Sequence, residues 1–202
     1  MVATHPQRFD ATYWAFFATH VAPRVPSRAV MIDLGCGPGL LLRDVGQRFP
    51  DATLFGYDVT PAMIAHARQL AWAGVKPMFG VHDVTSASLP HAVGSVHLVS
   101  MSSVLHVLDE PLPVLAEIRR VLAPGGVFLL NDWIRQPLAT YLAWRRDALG
   151  ETDTRRGFRL FPVHNKFTTE DWQWLLAEAG FTIAHHDLLR PSHRTFVATR
   201  RD

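Results

Sequence analysis

A glycine-rich turn between a strand and a helix constrains this chain more than any other feature. An apolar run at residues 29–34 leads into Asp33-Leu34-Gly35-Cys36-Gly37-Pro38-Gly39. Beyond it, Leu41, Val45 and Phe49 recur at helical spacing. Glycines at alternate positions give a tight turn whose backbone can approach a ligand closely. The helix that follows begins with free N–H groups and a positive dipole end, which favour a carboxylate or phosphate. A nicotinamide fingerprint places its third glycine three positions after the second. Here that position, residue 40, is Leu, so the spacing disfavours NAD. No Tyr-x-x-x-Lys pair supports a nicotinamide oxidoreductase either.

Strand-like and helix-like segments alternate along the rest of the chain, the pattern of an α/β fold with a mostly parallel sheet. Strands are predicted at residues 29–34, 52–57, 75–81, 96–101, 127–130, 181–189 and 195–199. Pro77 points to an edge position for the third. The short link at Pro191-Ser192 makes the last two an antiparallel hairpin. Helices are predicted at residues 9–22, ended by Pro23 and Pro26, and after the glycine turn. Another runs from Thr60 (N-cap) and Pro61 to Ala73, closed by Gly74. Leu115, Ile118 and Leu122 mark a further helix, stopped by Pro124-Gly125-Gly126. A late helix carries Trp172, Leu175, Leu176 and Ala179; Thr168 and Asp171 open it at capping-box spacing and Gly180 ends it. Residues 134–167 form an irregular insertion with one helix near residues 138–148.

The 202 residues fit one domain, and 48% apolar with 19% charged residues excludes a disordered chain. A net charge of +2 without a basic block gives no pointer to nucleic acid. The single cysteine, Cys36, excludes an internal disulfide and a cysteine-based zinc cluster. No signal peptide is evident, and no run of about 18 apolar residues occurs. A cytoplasmic protein is the resulting expectation.

Two more acids follow strands. Asp58 ends the second strand, where a carboxylate can accept both hydrogen bonds of a ribose diol. Asp83 follows the third, where it can accept from an exocyclic amine. With Asp33 they ring the carboxyl edge of an open sheet, the edge at which such sheets bind ligands.

This constellation resembles the class I S-adenosylmethionine-dependent methyltransferases. The resemblance rests on VMIDLGCGPG at residues 30–39, LFGYD at 54–58, HDVT at 82–85 and the stretch from Val104 to Asp132 containing Pro124-Gly125-Gly126. It is nearest to the small-molecule group that includes the ubiquinone- and menaquinone-biosynthesis enzymes. The resemblance implies a Rossmann-like seven-stranded sheet in the order 3-2-1-4-5-7-6, strand 7 antiparallel, with helices on both faces. It implies S-adenosylmethionine as cofactor, the methionine part on Gly35, Cys36, Gly37 and Gly39 beside Asp33. The ribose falls to Asp58 with Val59, the adenine to Asp83 with Val84, and Ser100 faces the sulfonium side.

Methyl transfer is a displacement on an activated carbon, so a base is needed only where the nucleophile must lose a proton. His106, after the fourth strand, is the candidate base; its alternative is a packing or hydrogen-bonding role. Asp132, Trp133 and His164 are candidate substrate residues. Tyr13, with Trp14, Phe16 and Phe17, belongs either to a lid over the site at residues 1–28 or, at helical spacing, to ordinary core. Asp33 has the alternative of orienting the loop, and Cys36 that of a small packed residue. His185 and His186 lie on a strand with opposite facings and make a poor metal pair. Ser100-Met101-Ser102-Ser103 stands where base-amino methyltransferases carry an Asn/Asp-Pro-Pro-aromatic motif and catechol enzymes a metal-binding Asp. The expected function is therefore metal-free methylation of a small-molecule O, N or C nucleophile by one domain, 1–202, as a possible homodimer without membrane or nucleic-acid partners. The rivals are an RNA or protein methyltransferase and a non-catalytic S-adenosylmethionine-binding subunit.

Overall fold

A strand that alternates which face its side chains meet can bury two cores at once. In β1 (Val30–Leu34), Ile32 and Leu34 face one side of the sheet and Met31 and Asp33 the other. β4 (Val96–Ser102) repeats the pattern with Val99 and Met101 against Leu98 and Ser100. β5 (Leu122–Trp133) does so with Phe128 and Leu130 against Val127 and Leu129. A computed structural model describes residues 5–201 apart from Ala73. Its seven-stranded sheet adds β2 (Thr53–Asp58), β3 (Met78–Val81), β6 (Phe181–Arg190) and β7 (His193–Arg200) in the order β3-β2-β1-β4-β5-β7-β6. The first five strands are parallel, and β7 runs antiparallel to both β5 and β6. Order and direction agree with the expectation from the motifs.

Helices cover both faces. α5 (Pro111–Val121) and α8 (Thr169–Glu178) seal one, with Leu115, Ile118, Trp172 and Leu176 fully buried. α2 (Ala11–His20) and α3 (Leu40–Arg48) seal the other through Tyr13, Phe16, Phe17, Leu41 and Val45. A short α1 (His5–Arg8) precedes them, and α4 (Pro61–Gln69) follows β2. α8 opens with the expected capping box, Thr168 and Asp171 each bonding the other's backbone N–H. Among the described residues, no helix is long and apolar enough to cross a membrane.

Three local expectations need correction. α4 stops at Gln69; Ala73 lies outside the described residues. Gly74 does not close that helix; its backbone meets Gly46 of α3, whose carbonyl would lie 3.1 Å from an added Cβ. Pro124-Gly125-Gly126 does not delay the next strand. Pairing with β4 begins at once, Leu122 opposite Val96, then shifts register so that Val127 faces Leu98, and Gly125 takes φ +73° at the irregularity. The insertion holds two helices, α6 (Leu138–Leu149) and α7 (Thr154–His164). Gly157 and Pro162 disguise α7 in the sequence, yet Gly157 is needed there: an added Cβ would sit 2.6 Å from Leu142 on α6.

Trp172 ties the late helix to the sheet. It is fully buried, and its Nε1 donates to the Trp133 carbonyl at 2.8 Å, just where β5 ends. Trp172→Ala is expected to cost about 3–5 kcal/mol through the cavity it leaves. The measurement is urea unfolding, with a lowered midpoint at unchanged slope. A loss below about 1 kcal/mol would show that Trp172 does not anchor the helix.

Candidate functional site

The glycine turn is held from the neighbouring strand. Gly35 and Cys36 N–H groups both donate to the Tyr57 carbonyl, at 2.8 and 3.0 Å. The Asp58 carboxylate accepts from Gly37 N (2.9 Å) through one oxygen and from Thr60 N (2.8 Å) through the other. Each oxygen keeps a lone pair for a further donor. Gly35, Gly37 and Gly39 have φ of +68°, +51° and +79°, a region costly for other residues. A Cβ on Gly35 would also lie 2.3 Å from Val104. Gly39 is the N-cap of α3 and packs against Phe79.

Asp33 is set into the floor of this turn. The register places it beside Ser100, whose Oγ donates to Asp33 Oδ1 at 2.7 Å. Asp33 is only 3% exposed. Burial pushes its carboxyl up to about 7; the Ser100 bond opposes that shift and the Asp58 charge adds to it. Burial likewise holds the Cys36 thiol far above its usual range, which makes it an inert packed group.

A cleft of about 220 Å³ runs over these groups, walled by Asp33, Gly35, Cys36, Gly37 and Asp58, by Ser102 to Val104, and by His5, Arg8 and Phe9 of the N-terminal segment. A second, larger cavity of about 950 Å³ lies beside it and is lined in part by Trp133, His164 and His193. Arg8 borders both. Between them Ser103, at φ +56°, shares a hydrogen bond with His193 Nε2 at 2.9 Å.

Asp132 is fully buried and accepts from His106: Nδ1 to Oδ1 at 2.7 Å and backbone N to Oδ2 at 3.3 Å. With Nδ1 turned to the carboxylate, Nε2 is the ring's free nitrogen, without a partner among the described residues. His106 stands behind the cavity wall, its ring edge-on to His164 at 5.4 Å. His164 stacks on Trp133 at 4.0 Å and pairs through Nδ1 with the Tyr141 hydroxyl at 2.8 Å. Burial and then the charges of His106, Arg145, Arg8 and Arg156 push His164 down to about 3. His193 is likewise held well below its usual value, by burial and then Arg8.

Of the residues singled out in the sequence, Asp33, Gly35, Cys36, Gly37 and Asp58 thus share one cleft, while Trp133 and His164 share the adjacent cavity. Others lie elsewhere. Ser100 sits beneath Asp33 and supports it without lining the cleft. Asp83 spends one oxygen on Thr85, accepting from its N–H (2.9 Å) and hydroxyl (2.7 Å); these bonds hold it below the usual carboxylate range. Val84 leans on the core and Val59 is 60% exposed; neither they nor Asp83 wall the cleft. Tyr13 belongs to the core under α2, 2% exposed, and lines neither cavity. His185 stacks on His20 while His186 bonds Arg194, on opposite sides of β6 as their alternation requires. Sequence reasoning missed Arg8, Ser103 and His193. The lone signal for Ser103 was its place directly after β4, and His193 stood hidden opposite Trp133 in the β5–β7 pairing.

A parallel sheet ending in an antiparallel hairpin, with a glycine turn and acids at its carboxyl edge, defines a Rossmann-like methyltransferase domain. The family model "Methyltransferase domain" matches residues 32–130. A malonyl-[acyl-carrier protein] O-methyltransferase of Hahella chejuensis is 38% identical over 109 residues, covering 54% of this chain and 38% of that protein. A trans-aconitate 2-methyltransferase of Methylobacterium radiotolerans is 35% identical over 116 residues, 56% of this chain and 42% of that one. The chain thus spans less than half the length of these relatives. Among solved structures, a SAM-dependent methyltransferase of Aquifex aeolicus superposes with a TM-score of 0.70 at 16% identity, covering 96% of this chain and 91% of that one. One from Mesorhizobium loti gives 0.69 at 23%, covering 95% and 98%. At such identities the likeness is one of fold. Over residues 32–130 the chain matches the methyltransferase-domain family, and its fold is that of the class I S-adenosylmethionine-dependent methyltransferases.

The donor set fits that cofactor. Asp33 offers a carboxylate to an ammonium, Asp58 two acceptors to a diol, and the glycine turn room for close approach. An ammonium against Asp33 expels the proton that burial retains. S-adenosylhomocysteine binding near pH 6.5 is therefore expected to release a proton, seen as buffer-dependent heat in calorimetry and absent in Asp33→Asn. Without ligand, the unfolded chain loses this proton near 3.8 while the fold keeps it to about 7, so stability falls with rising pH across that window. Asp33→Asn should flatten that slope; an unchanged pH profile would refute the account.

Proposed function

We propose that the protein transfers the methyl group of S-adenosylmethionine to a small molecule held in the larger cavity. The observation that carries this reading is the adjacency of two pockets: an acid-and-glycine cleft suited to the cofactor and a separate 950 Å³ cavity, with Arg8 common to both walls. When bound, the cofactor supplies a methyl carbon with an already activated leaving group, so the chain's work is alignment and exclusion of water. In this reading Gly35 to Gly39, Asp33 and Asp58 bind the cofactor. His5, Arg8 and Phe9 of the N-terminal segment close one side of the cleft, and the insertion 134–167 encloses the acceptor, within a single domain.

His106 is the proposed base where the acceptor must lose a proton. Support comes from Asp132, which orients the ring through Nδ1 and stabilises the imidazolium that proton uptake would form. Trp133 and His164 give the acceptor a flat wall. The protein is further proposed to work in the cytoplasm as a homodimer without a nucleic-acid partner. Light scattering checks the dimer, and absence of salt-sensitive tRNA retention the last point.

The decisive test compares thermal shifts with S-adenosylmethionine, S-adenosylhomocysteine and NAD. The first two are expected to raise the melting temperature by mass action and NAD to leave it unmoved. No shift with either sulfur compound at millimolar concentration sinks the proposal. With labelled donor and an acceptor found by screening, His106→Ala should lower turnover by about 10²- to 10⁴-fold, while S-adenosylhomocysteine still binds. Unchanged turnover would remove His106 from the chemistry.

A further inference from the structure

The wall of the larger cavity carries a charge that its own contacts leave unbalanced. Arg8, Arg145, Arg156 and Arg190 line it, against a single acid, Glu151. Glu151 is already committed: it takes Arg145 through both oxygens, at 2.7 and 2.5 Å, and Arg156 approaches the same carboxylate at 3.6 Å. Arg190 has Asp10, at 3.0 Å, on the solvent side of the N-terminal segment. Arg8 has no ion pair among the described residues. Its guanidinium is nevertheless drawn out of water, and burial and then the nearby Arg190 charge lower its pKa. The histidines in the wall add no negative charge. His164 and His193 are both held toward the neutral form, with Arg8 among the charges responsible in each case.

Withdrawing guanidinium groups from water beside one another is costly unless an anion joins them. Arginine's planar fork matches a carboxylate or phosphate through paired N–H donors. An apolar part of the wall is formed by Trp133 and Trp144, at right angles with 5.2 Å between ring centres, and by Leu149 and Leu160. We propose that the acceptor is a small organic acid, its anionic group gripped by Arg8 and Arg190 and its body laid against Trp133 and Trp144. This deepens the methyltransferase reading and rests on it. Because Arg8 also borders the cofactor cleft, it fixes the acid end of the acceptor at the boundary where the methyl group is to be delivered. An anionic oxygen at that boundary is charge-complementary to a sulfonium. Binding of an acid beside Arg190 competes with Asp10, so acceptor and N-terminal segment share one cation.

The test uses three probes with one body: phenylacetate, phenyl phosphate and neutral phenylacetamide. Each is titrated calorimetrically into protein saturated with S-adenosylhomocysteine. At least one of the two anions is expected to bind tenfold or more tighter than the amide, and to weaken as salt rises. The stronger of the two says whether the cavity is built for carboxylate or phosphate. Arg8→Gln and Arg190→Gln should each bring the anion to the level of the amide, and Arg8→Lys should retain part of the preference, since it keeps the charge and loses the fork. Circular dichroism and melting confirm that each variant is folded. Equal binding of acid and amide, a preference that survives both glutamine variants, or no saturable anion binding up to about 10 mM would overturn the proposal. Failure of S-adenosylhomocysteine to bind strikes the methyltransferase reading separately, because the anion titrations can still be read on the free protein.

Discussion

The Asp33–Ser100 hydrogen bond is the contact around which the site is arranged. Burying a carboxylate is expensive, and this one lies within the sheet layer with a single side-chain donor at 2.7 Å. Strand register makes the bond: Asp33 and Ser100 are direct neighbours across the β1–β4 pairing, on the same face. Two residues further along that face, Ser102 accepts from Asn131 of β5, and Asn131 accepts from Thr195 of β7. A polar row thus crosses four strands at the carboxyl edge of the parallel sheet, through Asp33, Ser100, Ser102, Asn131 and Thr195. A one-residue slip anywhere in that pairing would turn the row into the opposite core, so the site and the register specify one another.

Electrostatics divide the surface above this row into two territories. Acids govern the cleft: Asp33 and Asp58 both wall it, and the charge of Asp58 discourages ionisation of Asp33. Arginines govern the adjoining cavity, and their charges add to burial in lowering the pKa of His164 and His193. Between them stands Ser103, in a left-handed conformation that a serine adopts only at some cost, with its hydroxyl on His193. In the function proposed above, a positively charged cofactor and a negatively charged acceptor lie on opposite sides of one wall.

The fold was legible because its signals are local. The glycine turn, the Thr168–Asp171 capping box and the Pro191-Ser192 hairpin each specify their structure within a few residues, and the strand order followed from the family those motifs resemble. The acids of the cleft were legible for the same reason, since they stand at strand ends. Asp83 stands at a strand end too, but one of its oxygens is held by Thr85 two residues away and it does not wall the cleft. Tyr13 illustrates a second limit, because a buried aromatic stripe and a lid over a ligand have the same spacing. α7 was missed since Gly157 and Pro162 read as helix breakers, whereas Gly157 is there to let α6 approach.

The larger cavity was illegible for a stronger reason. Its charged lining arrives from α1, α6, the α6–α7 connection, α7 and the end of β6, segments separated by up to the length of the chain. No window of sequence contains two of the arginines that face Arg8 together with Arg8 itself. None of the residues lining this cavity falls within 32–130, the span the family model matches, whereas Asp33, the glycine turn, Asp58 and Ser102 to Val104 all do. Residues within that span wall the cleft together with His5, Arg8 and Phe9, while the larger cavity is walled by residues outside it. In the function proposed above, acceptor choice falls to this chain's own arginines and tryptophans, placed beside the cofactor cleft.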